Sequence, residues 1–382
     1  MRRTLVLDDM KNYFPEQYEF WKNKLFETNA EGIRKFFLGF REDCIEIYYK
    51  AMCVVSISYD RDTNCMLYKN DPYYLEKTGK KSPLSFDDIR QPKIFESIIS
   101  QIEKHVNGEH GVRHRHQREK DCQQWIVNEN NLKSNEWFFL DIEYVYAPNP
   151  CGRIDMIAIK RLPNTNGKHE LAFVELKVRH GEYNGIKNEK YKKDYQKYEI
   201  AKKDIHNPEI RTLKYGSGIV SHIADYIRMI GENDFMNHVR EEVVEMIKGN
   251  VLLGLIDKNS ELAKVCKTEC IEVIPKIFIL TYAYVPVHPG DYEKFGKIKS
   301  SKQALYNKIF SNGTEYGLSK MLREDQISGF LENKEEFLDF IKNDDLMVLE
   351  RKQNINGTDY SFVFEFVLPD KQANDNWKCL QA

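Results

Sequence analysis

The sequence predicts an α/β protein, and three features carry that expectation. Apolar, β-branched and aromatic runs of strand length recur at 137–147, around Ile154-Asp155-Met156-Ile157, at 171–178 and at 274–285. Segments with helical spacing of apolar residues lie between or beside them, at 117–128, 217–230 and 234–248. A chain of 382 residues is too long for one average domain. Three parts are therefore expected: an N-terminal α/β module over 1–100, a central domain over 101–290 and a C-terminal α/β extension over 291–382.

Residues 1–40 mix aromatic and charged side chains in a helix-like rhythm (Phe20, Trp21, Leu25, Phe26, then Ile33, Phe36, Phe37), which predicts one or two short helices. From Cys44 to Tyr68 the pattern becomes strand-like, with Asp60-Arg61-Asp62-Thr63-Asn64 as a polar turn. Polar, proline-bearing sequence from Lys69 to Lys93 reads as a connector. Helical spacing returns from Ile94 to Val106. The basic run Arg113-His114-Arg115-His116-Gln117-Arg118 leads into a helix whose apolar positions include Cys122, Trp125 and Ile126. In the tail, helices near 302–311 and 333–342 and a strand around Tyr360–Val367 complete the reading.

Lysine plus arginine (57) nearly balance aspartate plus glutamate (59), so the net charge of -2 leaves no whole-molecule footprint of a nucleic-acid binder. Any such footprint must be local. No apolar run reaches the roughly 18 residues of a membrane span, and acids interrupt the N-terminus before it could form a signal segment. A cytoplasmic protein with no membrane partner is expected. The eight cysteines form no Cys-x-x-Cys pair and no Cys/His spacing of a zinc site, and read as reduced, buried thiols.

Chemistry concentrates in two neighbouring strands. Gly-Arg-Ile-Asp-Met-Ile-Ala-Ile carries Asp155, and after a short polar turn Leu-Ala-Phe-Val-Glu-Leu-Lys-Val carries Glu175 and Lys177. Residues two apart on a strand share a face, so Glu175 and Lys177 project together. Charges embedded in nearly continuous apolar strands are costly unless paired or metal-bound. Two carboxylates with an ammonium beside them can hold a hard divalent cation, Mg²⁺ or Mn²⁺, and leave the lysine next to the water or phosphate that the cation holds. The turn decides whether the three meet. A two-residue loop at Asn166-Gly167 would pair Asp155 with Val178 and split the set. A three-residue loop Thr165-Asn166-Gly167, with Gly167 left-handed, would set Asp155 across from Lys177. The odd-length loop is expected.

These residues resemble the PD-(D/E)xK nuclease superfamily: Gly-Arg-Ile-Asp followed by Val-Glu-Leu-Lys-Val, with Ile154-Asp155 where the usual pair is Pro-Asp. Upstream, Glu119-Lys120-Asp121-Cys122-Gln123-Gln124-Trp125-Ile126 is similar to the first helix of the branch that includes the Shedu-type antiphage nucleases. The resemblance covers about residues 115–230 and implies a restriction-endonuclease-like core, a mixed central sheet flanked by helices. It also implies hydrolysis of DNA phosphodiesters, with Asp155, Glu175 and the Leu176 carbonyl as metal ligands and Lys177 as the catalytic lysine. Glu119 and Gln123, one helical turn apart, are further catalytic candidates, Glu119 as the holder of a metal-bound water. Asp141 and Glu143 compete for that duty from the preceding strand but are expected to face solvent. Gln196 and His222 are candidate polar residues from downstream helices.

DNA contacts are expected from the basic segments flanking the triad, at Arg113 and Arg115 and at Lys190, Lys192 and Lys193, where tyrosines 191, 195 and 198 interleave the charge. For the second segment a solvated helix face is the favoured reading, since alternating charge is ordinary on exposed helices. Two other readings compete: a non-catalytic DNA-binding or scaffold protein with a vestigial core, and an interaction module whose role lies in the two ends. Self-association is open.

Overall fold

The computed structural model describes residues 5–30, 32–41, 43–107, 115–132, 135–146, 153–177, 219–231, 233–282, 302–303, 334–343, 348–355 and 357–367. It is a mixed α/β protein with two sheets and several helices. Helices α1 (Leu5–Tyr13) and α2 (Pro15–Phe26) precede an antiparallel sheet ordered β1 (Phe36–Phe40), β2 (Cys44–Tyr49), β3 (Met52–Asp60) and β4 (Cys65–Lys69). Short helices α3 (Pro72–Leu75) and α4 (Phe86–Ile89) occupy the expected connector, the second closed by a capping box between Ser85 and Asp88. Helices α5 (Pro92–Asn107) and α6 (Arg115–Leu132) follow.

The second sheet has the order β5 (Trp137–Val145), β6 (Arg153–Lys160), β7 (Leu171–Lys177), β8 (Lys276–Tyr282), β10 (Thr358–Val367), β9 (Val348–Ile355). Strand β8 runs parallel to both β7 and β10, while β9 pairs antiparallel with β10. Strand β7 lies inside the sheet between β6 and β8, with β8 parallel to it, and every one of its residues is buried, including its two charged ones. Helices α7 (Ile219–Gly231) and α8 (Asn233–Leu253) follow β7 in the chain, and α9 (Lys334–Lys342) precedes β9.

Two elements depart from the sequence expectation. Phe36 and Phe37, read as helical, begin β1, where the run Phe-Phe-Leu-Gly-Phe is buried throughout. Gly39 belongs to that strand because a Cβ there would lie 2.7 Å from the Tyr48 ring. Strand β9 was not foreseen. It lies at the sheet edge, where the polar sequence Glu-Arg-Lys-Gln-Asn hides strand character.

Contacts divide the chain into two units, each built from three separate segments rather than from consecutive modules. The first comprises 1–142, 158–169 and 237–271; the second comprises 143–157, 170–236 and 272–382. In the first unit Trp21 stacks on Tyr68 with ring centres 6.1 Å apart, and the Tyr18 hydroxyl donates to the Leu252 carbonyl at 2.8 Å, which ties the end of α8 to α2. The β2–β3 hairpin turns at Lys50 and Ala51, both at φ +52. Gln124 of α6 holds that turn: its Oε1 accepts the Ala51 N–H, and its Nε2 donates to the Lys35 carbonyl at 2.8 Å.

Asp141, expected to face solvent, is completely buried in the first unit. The Arg41 guanidinium donates to both its oxygens, at 2.8 and 2.7 Å, and also meets Glu46 and the Tyr48 hydroxyl. Burial opposes the charge on Arg41, but Asp141, Tyr48 and Glu46 outweigh it and hold the guanidinium firmly protonated. Asp141 is thereby a structural ion-pair partner. Glu143 is half-buried, at φ +55, and pairs with Arg153 at 2.6 Å. No helix among the described residues is long and apolar enough to cross a membrane.

Candidate active site

The turn between β6 and β7 is the three-residue loop. Asn164 N–H donates to the Lys168 carbonyl at 2.8 Å and Gly167 N–H to the Asn164 carbonyl at 3.0 Å, with Gly167 at φ +80. The Asn164 side-chain oxygen accepts from the N–H of Asn166 and Lys168 and stiffens the turn. Only glycine takes this left-handed conformation at no steric cost, which makes Asn166-Gly167 the sequence signal for the loop.

At the far end of this hairpin Asp155, Glu175 and Lys177 meet in the second unit. The Asp155 Oδ2 accepts the Leu176 N–H at 3.0 Å, a cross-strand bond from a main-chain donor to a carboxylate. Lys177 places its ammonium 2.5 Å from Glu175 Oε1 and donates to the Leu176 carbonyl at 3.1 Å. Glu175 Oε2 accepts from the Tyr226 hydroxyl at 2.7 Å and lies 3.6 Å from Nδ1 of His222. Glu175 is fully buried, Asp155 and Lys177 are each 7% exposed, and His222, with a side chain 26% exposed, is the most accessible member of the group.

The electrostatics separate the two acids. Burial first, and the negative charge of Glu175 second, push the Asp155 carboxyl up to about 6, against the opposing pull of Lys177, His222 and the Leu176 N–H. Burial acts on Glu175 in the same direction, yet the charges of His222 and Lys177, with hydrogen bonds from Lys177 and Tyr226, hold it below the usual carboxylate range. Burial and the two carboxylates raise the Tyr226 hydroxyl far above its ordinary value, so it remains a donor. Two neighbouring buried carboxyls of which one resists ionisation form a site that gains from added positive charge.

The donor set suits a hard cation. Asp155, Glu175 and the Leu176 carbonyl all offer oxygen. Glu175 Oε1 is buried, and the group that meets it is the Lys177 ammonium. The Lys177 ammonium thus occupies two of the oxygens a cation would use. Among the described residues no three histidine, cysteine, aspartate or glutamate side chains gather in a way that could hold a metal; the acidic donors described here are Asp155 and Glu175.

Of the other sequence candidates, Gln123 is buried on α6, and its neighbour Gln124 serves the β2–β3 turn. Glu119 and Arg115 lie on α6, but their side chains are outside the described residues, as are Arg113, Lys190, Lys192, Lys193, Gln196 and the side chain of Asp225. Tyr226 was missed by sequence reasoning. The available signal was its i, i+4 spacing from His222, which puts both on one face of α7. No protein-family model, curated protein or solved structure matches the chain.

Proposed function

We propose that this protein is a divalent-metal-dependent nuclease that hydrolyses DNA phosphodiester bonds on a restriction-endonuclease-like core, with Mg²⁺ or Mn²⁺ as cofactor. The observation that carries the reading is the meeting of Asp155, Glu175 and Lys177 in one buried cluster at the β6–β7 hairpin. Charged groups this deep are costly to a fold, and their joint retention on one hairpin is economical as chemistry.

When bound, the cation supplies Lewis-acid activation of the scissile phosphate and lowers the pKa of an attacking water. Asp155, Glu175 and the Leu176 carbonyl would hold it, Asp155 as the carboxylate. Lys177 would orient the attacking water and stabilise negative charge gathering on the phosphate. His222, the most accessible group beside the acids, would be the one nearest an incoming substrate. Antiphage defence is the biological role suggested by the resemblance of residues 115–230 to the Shedu-type branch.

The test is conversion of supercoiled plasmid to nicked or linear forms with Mg²⁺ or Mn²⁺. Wild type should cut, chelation should stop it, and Asp155→Ala, Glu175→Ala and Lys177→Ala should each be inactive. A wild-type protein that binds DNA but cuts neither duplex nor single strand in either metal would establish the vestigial-core reading in its place.

A further inference from the structure

Tyr226 reaches from α7 to the acid cluster. Its hydroxyl donates to Glu175 Oε2 at 2.7 Å. Asp155 in turn reaches across to the Leu176 N–H through its carboxylate at 3.0 Å. Tyr226 and the β6–β7 cross-strand bond thus hold the two carboxylates from different sides. The ring of Tyr226 is itself fixed, fully buried and set edge-on against Phe173 at 6.2 Å, with Phe235 packed on the other contact of Phe173 at 6.0 Å.

This arrangement chooses between the two oxygens of Glu175. Oε2 is committed to Tyr226, with His222 beside it, whereas Oε1 faces the Lys177 ammonium. We infer that Tyr226 is a positioning residue for metal capture: it fixes the Glu175 carboxylate against Asp155 so that Oε1 is the oxygen presented to the cation. The inference rests on the metal-site reading above. Partners of this kind, which orient a ligand without touching the metal, typically change metal affinity by about 10- to 100-fold when removed.

Tyr226→Phe removes one oxygen and keeps the ring. Calorimetric titration of the full chain with Mn²⁺, without DNA, should show binding weakened about 10- to 100-fold, with the Phe variant still folded by melting and circular dichroism. Phe173→Leu, which disturbs the ring packing but leaves the hydroxyl, should lower the melting temperature and leave Mn²⁺ affinity per folded molecule unchanged. Wild-type affinity in Tyr226→Phe, or an equal loss of affinity in both variants, overturns the positioning role. Absence of Mn²⁺ binding by wild type would instead overturn the metal-site reading and the inference with it.

Discussion

Asp155 and Leu176 are joined by a bond that ordinary strand pairing does not make: the carboxylate of one accepts the main-chain N–H of the other at 3.0 Å. This spends part of the carboxylate's hydrogen-bonding capacity on its neighbour strand and fixes it beside Glu175. Burial there, beside a second carboxylate, makes the acid a source of pH sensitivity.

The Asp155 carboxyl stands at about 6 in the fold against an ordinary value of 3.8. A group that holds its proton more tightly when folded makes stability fall as pH rises through that window, and the cost is complete above it. Asp155→Asn should therefore be more stable than wild type at about pH 8, by on the order of 2–3 kcal/mol. The gain should shrink as pH falls through 6 toward 4. Urea denaturation of both proteins across this range measures it; a difference independent of pH would refute the account. Metal binding by wild type should weaken below about pH 6 by the same competition with the proton.

Lys177→Met should abolish cleavage and also destabilise the metal-free protein, by about 3–5 kcal/mol, because a fully buried Glu175 loses its ion partner. Mn²⁺ should restore more stability to this variant than it adds to wild type. Thermal melts with and without Mn²⁺ provide the comparison, and equal metal-induced shifts would contradict it.

In the first unit, Arg41→Met should cost about 3–5 kcal/mol by leaving Asp141 buried without its guanidinium. The double variant Arg41→Met/Asp141→Leu should recover part of that loss. A double-mutant cycle by chemical denaturation gives the coupling, and strictly additive losses would show that the two residues do not act as a pair.

Gly167→Ala should cost about 1–2 kcal/mol through backbone conformation alone, since nothing lies within 4 Å of the added Cβ and φ is +80. Gly167→Asn should cost less. Equal stability of the alanine variant and wild type would argue against a left-handed residue at the turn.

Much of the site was readable from the chain because period-two patterning and turn chemistry are local. Asp155, Glu175 and Lys177 are separated by a short hairpin whose turn Asn166-Gly167 marks, and of the two loop lengths that dipeptide allows, the three-residue one brings the set together. Tyr226 was not readable in that way. It comes from a helix and lies 51 residues beyond Glu175 and 71 beyond Asp155, and only the packing of Phe173 and Phe235 settles which turn of α7 meets the sheet. Phe36 and Phe37 misled because aromatic residues fill helix and strand interiors alike, and the deciding fact is the approach of Tyr48 to Gly39. Asp141 misled because its partner, Arg41, is 100 residues away.

The interrupted path of the chain has a practical consequence. Since 237–271 belongs with 1–142 and 272–382 with 143–157 and 170–236, no single cut yields an autonomous half. A truncation at residue 100 or 290 would remove strands or helices that the remainder needs to fold, so loss of function in such a fragment would report misfolding. Mapping by paired fragments expressed together, so that both units keep all their segments, is the form of dissection this topology permits.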